Sequence, residues 1–449
     1  VYTVIIPIII LFGIIFIKKI PVIGGSIPIG LAVTGMVAML IAGIFNPIDW
    51  LNYFVDGLNR QSWVIFIILI GGFYAEMSMR IGTLDTVLDV CRSAFGKRPK
   101  GLVVCIIIVL TFAGSLIGDA TAAGTVIGIM IIASLDDLGL KIEQTVCIVV
   151  CGACLGSIMP PVTQSIFLAS SHVGADPVEV SKYAYFTVGF GVILMCIYFS
   201  TFVKIKVLPE HLIPKEKASE ILKKRWKTLI PLMVLITLVV LRTGFKIDIA
   251  TMILGPILPW LSQLPVVCGL SNLMVLNILM AAIVGLFYKP VHKNLPDVAK
   301  KAFKIVLPNI AVQMAAALMI GAFYNAGQIA ILTDFASGLN SHIIKIGGGL
   351  ALMLVGMLTG SQTTAQNTIF VLMAPVLLAS GTSPVMLALA GAHLAMAGQG
   401  MPPADLAIFV QCGLAEGITK KKADPIRAMC YALPQNLYFA AVGFACLYL

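Results

Sequence analysis

The chain has 449 residues, 59% of them hydrophobic and only 11% charged, with a mean hydropathy of +1.02. A soluble protein of this size keeps about a quarter of its residues charged, so the composition excludes a water-facing surface and places the chain in a bilayer. The net charge of +10 does not signal nucleic acid, because the basic residues sit in short loops between apolar runs.

A spanning helix needs roughly 20 apolar residues. In chain order the candidates are 1–17, 24–46, 63–82, 183–203, 228–242, 266–288, 305–325 and 429–449. The first run ends at Lys18-Lys19. It has no basic segment before it and no small-residue cleavage site after it, so it reads as a spanning helix rather than a removable signal. Trp50, Trp63, Trp226 and Trp260 are expected to flank spans, at the interface. Glu76 and Arg80, one turn apart, read as a structural pair or an interfacial anchor. Two further regions, about 101–172 and 346–416, are apolar but repeatedly broken by Gly, Ser, Thr and Pro. Most cysteines lie in apolar runs and read as small buried hydrophobes. Cys147, Cys151 and Cys154 share a helix face, but no His or carboxylate accompanies them, and no metal is expected there.

With the loop after Lys18 in the cytoplasm, 25 of the 30 Lys and Arg fall on cytoplasmic segments. The others are Arg60, Lys182, Arg242, Lys246 and Lys345. The bias holds only if 101–139 enters and leaves on the cytoplasmic side and 346–381 enters and leaves on the outer side. Each is then a re-entrant hairpin. The Pro-containing stretch 247–264 lies at the outer interface or forms a bent lead-in to the next helix. The loop 204–227, with PKEKASEILKKRWK near its end, is expected to be an amphipathic cytoplasmic helix joining two halves.

The two broken regions repeat one pattern. Gly114-Ser115 precedes Met159-Pro160-Pro161, and Gly360-Ser361 precedes Met401-Pro402-Pro403. Gly156 and Gly398 each stand three residues before the methionine. Each Gly-Ser is expected at a hairpin tip and each Pro-Pro in a broken helix. Two prolines in a row remove two amide donors, and the carbonyls so freed can hold a hard cation such as Na⁺. Half-helix N-termini nearby suit an anionic substrate. The fold expected is therefore an all-α membrane protein, an inverted-repeat transporter with two re-entrant hairpins and two broken helices.

Polar residues around the breaks are the binding candidates. Asp119 and Asp405 can cap half-helices, and Asp119 can also partner Na⁺ or a proton. Gln164, Gln362, Gln366, Asn367 and Gln399 can bind a carboxylate or hydroxyl, or bond helix to helix. Ser157 joins them as a substrate candidate. His393, mid-run in LAGAHLAMAG, reads as a packed histidine, a proton relay or a substrate contact. The chain has no zinc-protease pattern, no nucleophile elbow and no P-loop, so no catalytic set, cofactor or ATP-driven step is expected.

GSLIGDATAAGTVIGIM from Gly114, LGSIMPP from Leu155, APVLLASGTSPVMLAL from Ala374 and QGMPPADLAIFV from Gln399 resemble the hairpin and Pro-Pro segments of the DctM-like family. That family is the large membrane subunit of tripartite ATP-independent periplasmic (TRAP) transporters. It often has Ser where Val162 stands and Thr where Met401 stands. The resemblance implies an elevator carrier of the bacterial or archaeal cytoplasmic membrane with two Na⁺ sites. Carried over, one site uses Gly114, Ser115, Gly156, Met159 and Pro161, the other Gly360, Ser361, Thr364, Gly398 and Met401. It implies scaffold helices in 1–100 and 182–345, moving units in 101–181 and 346–417, and a C-terminal helix in 418–449. It implies as partners a small four-helix (DctQ-like) membrane subunit and an extracytoplasmic binding protein, with a C4-dicarboxylate or other small organic acid as substrate. The alternative is a stand-alone ion-coupled anion transporter or cation/proton antiporter of related architecture.

Overall fold

The computed structural model describes residues 2–17, 24–213, 216–245 and 247–449; the expectations resting on Lys18, Lys19, Pro214, Lys215 and Lys246 lie outside them. Among the described residues the chain is all-helical. Seven helices among those residues are long and apolar enough to cross a membrane.

The first part comprises α1 (Tyr2–Phe16), α2 (Ile27–Ile41), α3 (Pro47–Ile81) and α4 (Thr83–Phe95). It is followed by α5 (Pro99–Ile117), α6 (Ala120–Asp137), α7 (Ile142–Ile158), α8 (Gln164–Val173) and α9 (Pro177–Ser200). The connection carries α10 (Ala218–Arg225), then α11 (Ile230–Phe245), the short α12 (Ile249–Leu254) and α13 (Leu258–Leu261), α14 (Leu273–Leu286) and α15 (Lys289–His292). The rest is α16 (Leu295–Asn325), α17 (Gln328–Ser337), α18 (Ser341–Thr359), α19 (Gln362–Ala365), a π-helical turn over Gln366–Phe370, α20 (Val371–Ala379), α21 (Pro384–Gln399), α22 (Leu406–Thr419) and α23 (Pro425–Tyr448).

Local sequence explains the ends. Asn46, Asp176, Ser383 and Asp424 each precede a proline and accept a hydrogen bond from an amide of the first turn. Three of the four precede α9, α21 and α23, where a new span starts after a hairpin or broken helix.

Hairpins form as expected. α5 and α6 meet at Gly118-Asp119, and α18 and α19 meet at Gly360-Ser361. Cysteine placed at Gly139, after α6, will label from the cytoplasm, and at Gly381, after α20, from outside. Both positions are exposed, so a reagent can reach them. Labelling of both from one face would refute the inversion.

Four expectations need correction. The span at 63–82 is the inner part of a 35-residue helix. At 1.5 Å per residue that is about 52 Å, longer than the hydrocarbon core. Trp63 therefore sits mid-helix, edge-on to Phe167 at 6.0 Å, not at an interface. The connection 204–227 holds only the eight-residue α10, beside a 3₁₀ turn at Glu210–Leu212. It lies against α4, an amphipathic helix whose polar face of Asp85, Asp89 and Arg92 keeps it from reading as an apolar run. Ser93 donates to the Glu216 carbonyl at 2.7 Å, and Arg225 pairs with Asp89 at 2.7 Å.

The fourth concerns the repeat. Gly114-Ser115 lies inside α5, one turn before the tip. The true equivalents are Gly118-Asp119 and Gly360-Ser361, 242 residues apart, the same spacing as the two Pro-Pro pairs. Both glycines are left-handed C-caps, and Asp119 and Ser361 are both N-caps. Gly114 instead packs on Gly156, where an added Cβ would lie 2.8 Å from the partner Cα. In the second half Gly356 meets Gly398 in the same way.

α3 and α16 form the long crossed pair against which the hairpins rest. At their crossing, a Cβ on Gly57 would meet the Ala317 carbonyl at 1.8 Å, and one on Gly321 the Tyr53 carbonyl at 1.8 Å. At the C-terminal end of α3 Arg80 bonds Glu76 at 2.9 Å and Asp297 at 2.5 Å, so the expected pair also clamps α3 to α16.

Candidate functional site

Each broken helix resumes with a capped amide end. Thr163 accepts from Ile166 N to start α8, and Asp405 accepts from Ala407 N and Ile408 N to start α22. Asp119 does the same for α6, accepting from Ala122 N at 2.8 Å, and Ser361 for α19, accepting from Thr364 N at 3.3 Å. The two Pro-Pro bonds, Pro160-Pro161 and Pro402-Pro403, are both cis.

The tips touch the breaks. A Cβ at Gly118 would lie 2.7 Å from the Val162 carbonyl oxygen, and at Gly360 only 1.6 Å from that of Ala404. Both glycines have positive φ, 77° and 64°, where a side chain is strained as well as unplaced. Glycine at each tip thus lets the hairpin backbone rest on a carbonyl freed by the break.

Four half-helix N-termini converge on one cavity of about 530 Å³. Its wall includes Asp119–Ala122 of α6, Gln164 of α8, Ser361–Thr363 at α19 and Leu406 of α22. α3 and α16 close the far side with Ala75, Glu76, Val306 and Asn309. The cavity reaches toward Met79 near the C-terminal end of α3 and Ile305 in the N-terminal part of α16. Among the described residues no Lys, Arg or His lines it, so the amide ends are its source of positive potential, set against the Asp119 and Glu76 side chains in the wall.

Of the substrate candidates, Asp119, Gln164, Gln362 and Gln399 line this cavity. The Gln362 backbone N–H donates to Gln399 Oε1 at 2.9 Å, and Gln164 Oε1 accepts from Asn309 Nδ2 at 3.3 Å. Ser157, Gln366, Asn367 and Asp405 lie behind it, fully buried. The first three tie the halves together, while Asp405 caps its own helix. Gln362 Nε2 donates to Ser157 Oγ at 3.3 Å, Gln366 Nε2 to Ser165 Oγ at 2.9 Å, and Gln61 Nε2 to Asn367 Oδ1 at 3.4 Å. The π turn carries Gln366 and Asn367, so the irregular backbone coincides with this polar seam.

Of the ion candidates, Gly360 and Ser361 line the cavity. Thr364 bonds Ser361 Oγ at 3.0 Å just behind, and Gly398 packs against the Met353 carbonyl. Met401 stands in the second break. Ser115, Met159 and Pro161 instead line a separate apolar cavity of about 400 Å³ between α5, α9 and α11. Ser115 joins the first break through its carbonyl, which accepts from Val162 N at 3.0 Å. His393 is buried, with Nδ1 at 2.8 Å from the Leu389 carbonyl and its ring edge-on to Phe439.

Sequence reasoning missed Asn309, Thr121, Thr125 and Thr363, which also line the cavity. Asn309 had a signal: an amide directly after Pro308, in the middle of an apolar span.

A second cavity of about 250 Å³ opens toward the other end of α3 and α16, with Arg60, Gln61, His172 and Tyr324 in its wall. Between the two cavities α8 presses Leu168 against Val64, Ile68 and Val306, a small apolar cluster of its own.

The family model described as "Tripartite ATP-independent periplasmic transporter, DctM component" matches residues 4–448. The Na(+)/H(+) antiporter NhaC of Alkalihalophilus pseudofirmus is 29% identical over 148 residues, which are 31% of this chain and 31% of that protein. The chain thus spans about a third of the length of that curated relative. The crystal structure of the YdaH transporter of Alcanivorax borkumensis, described as having an unusual topology, superposes with a TM-score of 0.61. It is 14% identical, over 88% of this chain and 86% of that one, a likeness of fold alone.

Proposed function

The chain belongs to the DctM component family of tripartite ATP-independent periplasmic transporters, and we propose that it imports a small organic acid by a sodium-coupled elevator movement. It is a multi-pass protein of the cytoplasmic membrane and not an enzyme. In this reading a binding protein delivers the acid from outside, and a small four-helix subunit completes the complex. The supporting observation is the convergence of four half-helix N-termini on one cavity. Amide ends in a low-dielectric site hold a carboxylate without a charged side chain. A C4-dicarboxylate is one candidate among such acids.

The moving body would be α5–α8 with α18–α22, sliding against α3 and α16. Leu168 then passes the apolar side chains it now touches, and the cavity changes sides. Na⁺ fits the donors at the tips, which are hard oxygens: the Val162 and Ala404 carbonyls and the hydroxyls of Ser361 and Thr364. Sodium bound there would fasten each tip to its break before the body moves.

Uptake of labelled organic acids into proteoliposomes, with and without a Na⁺ gradient and with and without the two partners, tests the proposal. Uptake equal in the absence of Na⁺ sinks the coupling. Within that assay Ser361→Ala will raise the half-saturating Na⁺ about fivefold, the worth of about 1 kcal/mol for one lost oxygen contact. Ser115→Ala will leave it unchanged, because the carbonyl and not the hydroxyl meets the break.

The partial similarity to NhaC supports a second reading, cation/proton antiport by the chain alone. Proton release from liposomes on adding Na⁺, with no organic acid and no partner present, would select it.

A further inference from the structure

A groove of about 600 Å³ runs down the membrane face between α5 and α9. Its walls at bilayer depth are aliphatic, with Val104 and Ile108 on α5 and Val192 and Ile197 on α9. Lys100 stands at the cytoplasmic mouth. Ile108 and Val192 also line the apolar cavity beside Met159–Pro161, so the groove and that cavity adjoin.

Lys100 is the charged side chain in the groove wall, and the flanking sequence adds further basic residues, while the acids Asp136, Asp137 and Glu210 lie on segments that do not line it. Residues 96–104 and 200–208 carry Lys97, Arg98, Lys100, Lys204 and Lys206 and no Asp or Glu. Lys100 is exposed and enters no ion pair among the described residues. An aliphatic slot at membrane depth takes hydrocarbon, and a basic mouth at the cytoplasmic interface takes an anionic headgroup. Lengths agree. Lys100 to Ile108 spans about 12 Å of helix, and one leaflet of hydrocarbon is about 15 Å deep. A chain anchored at Lys100 therefore ends where the inner cavity begins.

We infer that this groove binds an anionic glycerophospholipid of the cytoplasmic leaflet, with its phosphate at Lys100 and one acyl chain along Val104, Ile108 and Val192 into the cavity beside Met159–Pro161. The opposite wall of that cavity is Leu232 and Ile236 of α11. The acyl chain thus fills the gap between the first hairpin with its break and a neighbouring helix. Membrane composition then sets how freely the hairpin moves against α11.

The full chain in nanodiscs of phosphatidylcholine, with or without phosphatidylglycerol, tests this by native mass spectrometry of retained lipid and by melting temperature. The wild type will retain phosphatidylglycerol in preference to phosphatidylcholine and melt higher with it. Lys100→Gln with Lys204→Gln, both exposed, will lower that preference roughly fivefold per lysine. Ile108→Trp, which fills the slot, will lose retention of either lipid. Equal retention of both lipids by the wild type, or an unchanged preference in the double lysine variant, overturns the site. Glycerol 3-phosphate has the head without the tails and will not displace the lipid. Displacement by it would assign the mouth to free phosphate and also overturn the inference. If Ile108→Trp does not fold, the lysine variant decides alone.

Discussion

Gly360→Ala will collapse the second hairpin's contact with its broken helix and abolish transport. The left-handed conformation alone costs an alanine about 1–2 kcal/mol. The added methyl would also sit 1.6 Å from the Ala404 oxygen, and overpacking of this kind adds about 1–3 kcal/mol. Two glycines separate the contributions. Gly174 has a similar φ, 68°, but open space around it, so Gly174→Ala will show the conformational cost alone. Gly413 lies within helix α22 with open space around it, and Gly413→Ala will be neutral or slightly stabilising. Thermal melts in detergent should therefore rank Gly360→Ala well below Gly174→Ala, and Gly174→Ala below Gly413→Ala. Gly118→Ala, with 2.7 Å to the Val162 oxygen, should fall between the first two. A Gly360 variant no worse than the Gly174 variant would remove the tip-on-carbonyl contact from the mechanism.

Gln164→Glu will leave the fold intact and weaken substrate affinity by about two to three orders of magnitude. An acid in the first turn of α8 suits the amide end, so stability should hold. The same acid faces the cavity in which the substrate's carboxylate is proposed to sit. Two like charges about 4 Å apart repel by about 4 kcal/mol at the effective dielectric of a protein surface. Gln164→Ala, which loses only the hydrogen bond from Asn309, should cost about fivefold. The comparison is of KM in uptake, or of the ligand concentration needed for thermal stabilisation. If Glu and Ala behave alike, the carboxylate does not sit against this helix end. If Glu improves affinity, the transported species is a cation.

Much of this architecture was legible because membrane physics writes it in composition. The re-entrant hairpins followed from where lysines and arginines could lie, and the breaks from two Met-Pro-Pro runs each preceded by a glycine at the same distance. The register of the repeat was not legible from Gly-Ser alone. Asp119 and Ser361 differ chemically yet serve the same capping role, so the equivalence lies in backbone conformation, which the letters do not spell. The full length of α3 was hidden for a related reason. Residues 47–62 include Asp49, Asp56 and Arg60, which lower the hydropathy without interrupting the helix. α4 was missed because an interfacial helix needs only one apolar face. The cavity residues divided by direction. Gln164 and Gln399 line the cavity, Gln362 lines it while its side chain reaches back to Ser157, and Gln366 and Asn367, one turn further along that hairpin arm, lie wholly in the seam. Asn309 comes from a distant helix, and only the folded crossing of α3 and α16 against the hairpins brings it to Gln164.

The apolar cluster around Leu168 also shapes the electric field. On α3 the second cavity ends at Gln61 and the first begins at Gly72; on α16 the corresponding residues are Ile320 and Asn309. Eleven residues of helix separate each pair, or about 16 Å. With water in both cavities, the membrane voltage falls across that distance instead of the roughly 30 Å of hydrocarbon, nearly doubling the local field. A charge crossing the full potential gains or loses about 2.3 kcal/mol per 100 mV. Nearly all of that work would be done while Leu168 passes its neighbours, so voltage would act chiefly on one short stroke of the carrier.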